Sequence, residues 1–245
     1  MHMDKKMLQV QFALKRGFDI VFSAVGIIIL IPFWIGIGIA VKADSEGPII
    51  FRQERLTKNG KVFEMYKFRS MIEDAEHMGA GLFNYENDPR VTRVGCFLRN
   101  TSLDELPQLF NVLKGDISIV GPRPSVTYEL GDYETLNKRY KKRFSVLGGI
   151  TGLAQVRGRN ENSWDEKVTL DNQYIDEFQR IGILLDMQIL WETLIGVVKK
   201  SNIYEIKTEG TDEDVKSAQK AQNEIIRAAH LPDEEAVHKE GRTEI

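Results

Sequence analysis

The pattern of apolar and charged positions divides the chain into three parts. Residues 20–41, IVFSAVGIIILIPFWIGIGIAV, form a run of 22 residues without a charge, preceded by lysine and arginine. Alternating and amphipathic segments follow up to residue 204, as in a folded domain. Charged side chains dominate the remainder. We therefore expect an N-terminal segment with a membrane helix over 1–42, a globular domain over 43–204 and an acidic helical tail over 205–245.

The apolar run is long enough to cross a bilayer. At about 1.5 Å per residue a helix of this length extends about 33 Å, and a hydrocarbon core is about 30 Å thick. A cleaved signal peptide is one interpretation, although the run is long for one. A straight transmembrane helix is the second, and a re-entrant segment that enters and leaves by one face is the third. Pro32 predicts a kink near the middle, which makes the third geometrically feasible.

Residues 48–70 predict a β-hairpin. Two strand-like segments flank Asn59-Gly60, a strong short-range hairpin signal because both residues accept the left-handed backbone of a tight turn. Side chains alternate along a strand, so Lys67 and Arg69 are expected on one face of the second strand. Two cations on one face indicate either an anion site or an ordinary solvated surface.

The segment TSLDELPQLFNVLKGD carries two adjacent carboxylates at a predicted helix start. Ser102 and Glu105 have the spacing of a capping box, and Pro107 is tolerated only near a helix N-terminus, which predicts a helix over 101–114. Asp104 and Glu105, here called the acidic pair, would then lie at the positive end of the helix dipole. Acidic residues are common in first turns, so the pair is either a helix cap or part of a site.

Proline on both sides of Arg123 predicts a stiff turn that presents this cation. The rest of the domain predicts helices over 128–144, 162–179 and 183–200, with a glycine-rich loop, GGITGLAQVRGRN, after the first. The last helix is apolar but is interrupted by polar side chains, so it is core or lies on a membrane surface rather than spanning it. The basic cluster NKRYKKRF, residues 137–144, is either a contact for anionic lipids or a solvated face.

Composition narrows the chemistry further. The net charge of −3 combines +2 for residues 1–204 with −5 for 205–245. A single cysteine excludes an internal disulfide and fits a reducing compartment. The four histidines have no metal-ligand spacing, so any metal would be bound by oxygen.

The tail carries one apolar stripe at helical spacing. Its members are Val215, Ala218, Gln222, Ile225, Ile226 and Ala229. A single narrow stripe on a charged helix predicts binding to a partner or to a second copy of the chain, which would give a homodimer. A loosely docked tail is the alternative.

Five separated blocks, in this order, resemble the bacterial sugar transferase family, the monotopic phosphoglycosyl transferases. They are KRGFDIVFSAVG, FRQERLTKNGKVFEMYKFRSM, FLRNTSLDELPQLFNVLKGDISIVGPRP, GITGLAQVRGRN and LLDMQIL, and they extend over about residues 14–203. Large members carry further N-terminal transmembrane helices, and the chain is similar to the small form. Gly148-Gly149 stands where the family commonly has Pro-Gly, and the tail has no counterpart.

The resemblance implies an α+β fold with a re-entrant membrane helix kinked at Pro32, a β-hairpin and a helix-rich catalytic domain at the membrane surface. It places the protein at the cytoplasmic face of the bacterial inner (plasma) membrane. The implied reaction moves a phosphosugar from a UDP-sugar to a polyprenyl (undecaprenyl) phosphate and releases UMP, as the first membrane step of polysaccharide or glycoconjugate assembly. UDP-sugar, polyprenyl phosphate and membrane lipids are the implied partners, and no nucleic acid is expected.

The resemblance also implies roles for individual residues. Asp104 would be the nucleophile of a covalent aspartyl-phosphosugar intermediate, and Glu105 would assist metal binding or activation of the lipid phosphate. Both carboxylates would hold Mg²⁺. Such a reaction needs an ionised nucleophile and cations that offset the diphosphate charge. The implied substrate- and phosphate-binding residues are Lys67, Arg69, Arg99, Arg123, Arg157, Arg159 and Asp171, the last for the metal or the nucleotide.

Two other classes of protein fit parts of the pattern. A membrane-tethered binding or scaffold protein would use the acidic pair only as a helix cap. A metal-dependent nucleotide-sugar glycosyltransferase would form a glycosidic bond without a covalent phosphosugar. The chain has neither a Walker A loop nor a Gly-x-Gly-x-x-Gly fingerprint, so a nucleotide would be held in another way.

Overall fold

The computed structural model describes residues 3–75, 78, 88–158, 163–199 and 212–232. Its helices are α1 (Lys5–Asp44), α2 (Arg93–Thr101), α3 (Gln108–Lys114), α4 (Lys138–Lys142), α5 (Leu153–Val156), α6 (Trp164–Ile181), α7 (Ile183–Lys199) and α8 (Asp212–Ala229). Its strands are β1 (Ile50–Leu56), β2 (Val62–Phe68), β3 (Ser118–Val120), β4 (Ser125–Val126) and β5 (Gly149–Thr151). The predicted mixture of helices with small sheets is confirmed.

The predicted hairpin is confirmed. β1 and β2 pair antiparallel from Ile50 opposite Phe68 to Leu56 opposite Val62, and β4 joins the other edge of β1. Asn59, with φ at 58°, has the left-handed backbone that its sequence predicted for the turn. β3 and β5 form a separate parallel pair. The two small sheets place the ends of β2 and β3 near the same helix, α3.

α1 is continuous from Lys5 to Asp44, with Pro32 inside it. Among the described residues it is the one helix long and apolar enough to cross a membrane. Most of its apolar side chains are exposed, including Ile28, Phe33 and Ile39. The kink at Pro32 and the re-entrant path stay predictions, because the helix alone is compatible with either course.

α1 also packs along the globular domain over its whole length. At one end the Met3 N–H donates to the Gln179 carbonyl, 3.0 Å away, and at the other end Asp44 accepts from the Val94 N–H at 2.8 Å. Between them Lys15 forms a buried ion pair with Asp186 of α7. Both ends of the apolar helix therefore contact the same folded domain.

Two of the three helices predicted after residue 127 are confirmed, and one is wrong. Helices over 162–179 and 183–200 are confirmed as α6 and α7, with boundaries shifted by one or two residues. The helix predicted over 128–144 is wrong, since a turn, a short helix and another turn occupy this region. Its apolar side chains, among them Leu130, Leu136 and Tyr140, face a shared core instead of one helical stripe.

α8 docks on that same region. Ala229 is fully buried against it, and Asn137 donates its backbone N–H to the Ala229 carbonyl and its side-chain amide to the Ala228 and Leu231 carbonyls. Gln222 donates to the Glu129 carbonyl. Part of the stripe predicted to bind a partner thus packs within the chain, and the homodimer stays a prediction.

Candidate active site

The acidic pair lies in a single tight turn between α2 and α3. α2 ends because Ser102 adopts the left-handed conformation, with φ at 57°, and its N–H caps the Arg99 carbonyl. A 3₁₀ turn over Leu103–Glu105 follows, and Pro107 precedes α3. The helix predicted over 101–114 is confirmed only over Gln108–Lys114, and its predicted start with a capping box is wrong, since Ser102 reverses the chain and makes no side-chain cap. The turn projects the two carboxylates toward β2 and the loop after β3.

Glu105 is held by two cations on one oxygen. Its Oε1 accepts from Lys67 Nζ at 2.9 Å and from an Arg123 guanidinium nitrogen at 2.6 Å. Burial by itself raises the pKa of the Glu105 carboxyl, but the charges and hydrogen bonds of Arg123 and Lys67 outweigh burial and hold that pKa well below its usual range. Glu105 is therefore anionic across the physiological pH range.

Asp104 has a different environment, although it is the next residue. Its side chain is buried, with 8% of the residue exposed. Burial raises the pKa of its carboxyl to about 6, Glu105 adds to the rise, and the positive charges of Lys67, Arg99 and Arg123 oppose it. Asp104 accepts no hydrogen bond from the described residues. At neutral pH it is thus an ionised carboxylate near three cations and without a hydrogen bond from the described part of the chain, and ionisation is what a nucleophile requires.

Tight backbone packing fixes the loop that presents Arg123. The Gly121 N–H donates to the Thr151 carbonyl at 2.8 Å, and the Gly149 N–H donates to the Pro122 carbonyl at 2.9 Å. A Cβ on Gly149 would lie 2.1 Å from the Gly121 nitrogen, so only glycine fits there. Residues 121–125, here called the Arg123 loop, therefore rest directly on the glycine-rich segment. The close approach gives the glycine at position 149 a structural reason.

Arg55 belongs to the same cluster and was missed from the sequence. Its guanidinium donates to the Pro124 carbonyl at 2.7 Å and to Gln53 Oε1 at 2.7 and 2.9 Å. Burial lowers its pKa, and the charges of Arg123 and Glu105 also act on it. β1 pairs Phe51 with Lys67, so alternation along β1 puts Arg55 on the face of Lys67. The predicted hairpin, with its alternation of side chains, was the sequence signal that could have identified Arg55 as a site residue.

Not every residue implied by the resemblance joins this cluster. Arg69 donates instead to the Ser45 carbonyl at 2.8 Å and packs against the C-terminal end of α1. Asp171 lies in the interior of the domain, where it pairs with Arg143 at 2.9 Å, and burial raises the pKa of its carboxyl to about 6 against the opposing charge of Arg143. Arg157 is exposed at the end of α5, and Arg159 lies outside the described residues.

The basic cluster over 137–144 is not one cationic surface. Arg143 is buried, while Arg139 pairs with Asp165 at 3.1 Å and Lys142 with Asp176 at 2.7 Å. The carboxylates of α6 thus neutralise the positive charges of Arg139 and Lys142, which an anionic lipid would otherwise contact. Prediction of a shared lipid-binding face from the basic run is therefore wrong for Arg143, because that side chain does not reach the surface.

The acidic pair offers oxygen atoms that suit a hard cation. Both ion pairs of Glu105 use Oε1, and Asp104 is unbonded among the described residues. Within the part of the chain that the structure describes, no group of three acidic, histidine or cysteine side chains forms a metal cage. Mg²⁺ commonly takes one or two carboxylates together with water and substrate phosphates. The donor set fits Mg²⁺ brought together with a phosphate-bearing substrate.

Taken together, these side chains form an anion site with a carboxylate at its centre. Lys67, Arg55, Arg99 and Arg123 supply four positive charges, and among the described residues the carboxylates that act on them are Asp104, Glu105 and, beside Arg55, Glu129. A site with excess positive charge in a partly buried setting favours a polyanion such as a diphosphate. The charges of Lys67, Arg99 and Arg123 act on the Asp104 carboxylate, which accepts no hydrogen bond from the described residues, so the arrangement can direct a nucleophile at a bound phosphorus.

Comparisons with known proteins identify the family of the chain. The family model described as bacterial sugar transferase matches residues 10–200. The chain is 40% identical over 191 residues to the exopolysaccharide production protein PSS of Rhizobium leguminosarum bv. phaseoli, covering 75% of the chain and 94% of that relative. It is 43% identical over 194 residues to the UDP-glucose:undecaprenyl-phosphate glucose-1-phosphate transferase of Escherichia coli K12, covering 77% and 41% respectively.

A third relative is the galactosyl transferase CpsE of Streptococcus agalactiae serotype III, 44% identical over 191 residues, with 74% of the chain and 41% of the relative covered. The chain thus spans about two fifths of the length of two of these relatives and nearly all of the third. The match lies over the residues that build the cluster around the acidic pair and excludes α8. The chain belongs to the bacterial sugar transferase family.

Proposed function

We propose that the chain transfers a sugar phosphate from a UDP-sugar to undecaprenyl phosphate or a similar polyprenyl phosphate, through a covalent intermediate on Asp104. One observation carries the proposal: the Asp104 carboxylate is buried among Lys67, Arg99 and Arg123 without a hydrogen-bond partner among the described residues. The names of the relatives, which include an undecaprenyl-phosphate galactose phosphotransferase and UDP-glucose:undecaprenyl-phosphate glucose-1-phosphate transferases, support the same substrate classes. The product would enter polysaccharide or glycoconjugate assembly.

In the first displacement an Asp104 oxygen attacks the β-phosphorus of the UDP-sugar. A new bond joins that oxygen to phosphorus, the bond from phosphorus to the bridging oxygen breaks, and UMP leaves with the electron pair. Arg123 and Lys67 are fixed by Glu105 beside the carboxylate, where their charges offset the negative charge of the diphosphate. Mg²⁺, held by Asp104 and Glu105 with the substrate phosphates, would supply further charge neutralisation at the phosphoryl oxygens.

In the second displacement a phosphate oxygen of the polyprenyl phosphate attacks the same phosphorus. The bond between Asp104 and phosphorus breaks, which restores the carboxylate and yields polyprenyl-diphospho-sugar. Division of the transfer into two displacements lets one cationic site serve two large anionic substrates in turn. The low pKa of Glu105 keeps that side chain ionised throughout, so it holds its cations in both steps.

We propose that α1 enters and leaves the membrane on one face. Its two ends bond to the same globular domain, through Met3 with Gln179 and through Asp44 with Val94. A straight transmembrane course would separate these ends by the bilayer. The exposed apolar face of α1 would be in contact with lipid, and the acidic pair would lie near the phosphate level, where a polyprenyl phosphate carries its charge.

Covalent trapping tests the proposed nucleophile. Protein incubated with a UDP-sugar labelled in the β-phosphate is expected to retain label and release UMP before any lipid is added. Asp104→Asn should abolish both, while Asp132→Asn, which alters an exposed turn, should behave as wild type. Release of UDP with a glycosidic product, without label on the protein, would instead indicate the glycosyltransferase class. Label on Asp104→Asn would exclude this nucleophile.

Cysteine accessibility tests the membrane course. Cys96 is replaced by serine, and single cysteines are introduced at Lys5 and at Lys58, which lie near the start of α1 and in the hairpin turn. An impermeant thiol reagent should label both from the same side of sealed vesicles. Labelling from opposite sides would exclude the re-entrant path and would not bear on the proposed transfer reaction.

A panel of UDP-sugars, tested by measuring UMP release, would identify the donor.

A further inference from the structure

Arg143 and Asp171 form a buried ion pair that no step of the proposed reaction uses. Arg143 is 3% exposed and Asp171 is 1% exposed. The Arg143 Nε donates to Asp171 Oδ2 at 3.0 Å, and a terminal nitrogen of the same guanidinium lies 2.9 Å from that oxygen. Two donors on one carboxylate oxygen fix the plane of the guanidinium.

The same guanidinium reaches the Arg123 loop. The terminal nitrogen that pairs with Asp171 also donates to the backbone carbonyl of Arg123, 2.8 Å away. The guanidinium carbon lies 4.9 Å from the centre of the Trp164 ring and 5.4 Å from that of Phe144. Two aromatic rings and a carboxylate thus hold Arg143 in one position, from which it binds the main chain of a site residue.

Two guanidinium groups therefore hold the Arg123 loop by neighbouring carbonyls. Arg143 binds the carbonyl of Arg123 from the domain interior, and Arg55 binds the carbonyl of Pro124 from β1. The flanking prolines have no N–H of their own, so side chains supply much of the anchoring that ladder bonds would otherwise provide. With its main chain fixed, the Arg123 side chain can reach Glu105 at 2.6 Å.

We propose that Asp171 and Arg143 are positioning residues that hold the Arg123 loop, so that the Arg123 guanidinium stays on Glu105 beside Asp104. Their effect on transfer rests on the proposed function, whereas their effect on the loop does not. Asp171 is too deeply buried to touch a nucleotide or a metal at the cluster. Its contribution to the site passes through Arg143 instead.

Hydrogen exchange tests the loop without any substrate. A peptide over residues 118–127 of the full chain is expected to exchange about tenfold faster in Asp171→Asn and in Arg143→Lys, because lysine cannot bind the carboxylate and the carbonyl with one planar group. Asp176→Asn is the matched control: Asp176 lies on the same helix as Asp171 and forms an exposed pair with Lys142 of α4, so loss of that pair should leave the exchange of the peptide unchanged. Unchanged exchange in a folded Arg143→Lys protein would overturn the proposal.

A double-mutant cycle tests the route to catalysis. Asp171→Asn is expected to lower kcat/KM for the UDP-sugar about tenfold in the wild-type background and less than about twofold in an Arg123→Ala background, because both changes remove the same interaction. Multiplicative losses in the double variant would overturn the proposal and indicate direct contact of Asp171 with substrate. If the wild type transfers no phosphosugar while exchange responds as expected, the proposed function fails and the positioning of the loop stands.

Discussion

Lys15 on α1 and Asp186 on α7 form an ion pair inside the protein, although 171 positions separate them in the chain. Lys15 also donates to the Val120 carbonyl at 2.8 Å, and Tyr174 donates to the second oxygen of Asp186 at 2.9 Å. Polar bonds thus join α1 to the domain beside Val120, the last residue of β3. Loss of one partner would leave the other charge buried and unpaired.

Replacement of Lys15 by methionine should therefore destabilise the protein by about 3–5 kcal/mol, the usual cost of an uncompensated buried charge. The free energy of unfolding of detergent-solubilised protein, from denaturant titration, is the measurement. Lys6→Met, at an exposed position of the same helix, should change it by less than about 0.5 kcal/mol. The double variant Lys15→Met with Asp186→Leu should recover most of the loss, and equal effects of both lysine variants would contradict the structural role.

The pKa of Asp104, raised to about 6 mainly by burial, predicts an acid limb in the first displacement. Below pH 6 the carboxylate becomes protonated and cannot attack, so the single-turnover rate of UMP release should fall about tenfold per pH unit. Above pH 7 the rate should be independent of this group. The measurement is rapid-quench UMP release between pH 4.5 and 8.

Two variants identify the group that causes this limb. Asp171→Asn removes the other carboxyl whose pKa lies near 6, and an acid limb should remain in this variant because Asp104 is still present. Lys67→Met removes a positive charge that lowers the pKa of Asp104, so its midpoint should move to higher pH. Loss of the acid limb in Asp171→Asn would show that Asp171, and not Asp104, causes it.

The same pKa predicts that the nucleophile weakens the fold. Because the folded pKa of Asp104 exceeds its unfolded value of 3.8, its contribution to stability is largest below pH 3.8 and is lost as pH rises through 6. Asp104→Asn should then stabilise the protein at pH 8 by about 2–3 kcal/mol, with a smaller gain near pH 5. Unfolding midpoints at the two pH values measure this, and Asp132→Asn should show no such difference.

Docking of α8 should depend on Ala229, which is fully buried at its end. Ala229→Glu would place a charge against Leu130 and Tyr140 in that core, at a cost of at least about 2 kcal/mol, and should release the helix. Limited proteolysis between α7 and α8 should then become faster. Ser217→Glu, on the exposed face of α8, should leave the cleavage rate unchanged.

The same two variants bear on the predicted homodimer. If α8 packs within its own chain, sedimentation of detergent-solubilised Ala229→Glu should give the mass of the wild type. A dimer in the wild type that becomes monomeric in Ala229→Glu would mean that α8 joins two chains. Ser217→Glu serves again as the control for added charge.

Local signals determined much of this protein. Asn59-Gly60 specified a hairpin because both residues favour the left-handed backbone the turn needs, and the apolar periodicity of α6 and α7 was readable because each helix follows one face. The apolar run before residue 42 and the adjacent carboxylates Asp104 and Glu105 were also recognisable from the order of residues. These features depend on interactions within a few positions of the chain.

Tertiary contacts decided the rest. Ser102 ends α2 in the left-handed conformation and the following turn leaves Asp104 beside Lys67, which comes from a distant strand. The hairpin register places Arg55 in the site. Asp171 pairs with Arg143 in the core and not with a substrate. Burial and partner charges set the two pKa values of the acidic pair in opposite directions. Such quantities depend on which remote groups exclude water from a side chain, and no local pattern of residues encodes that.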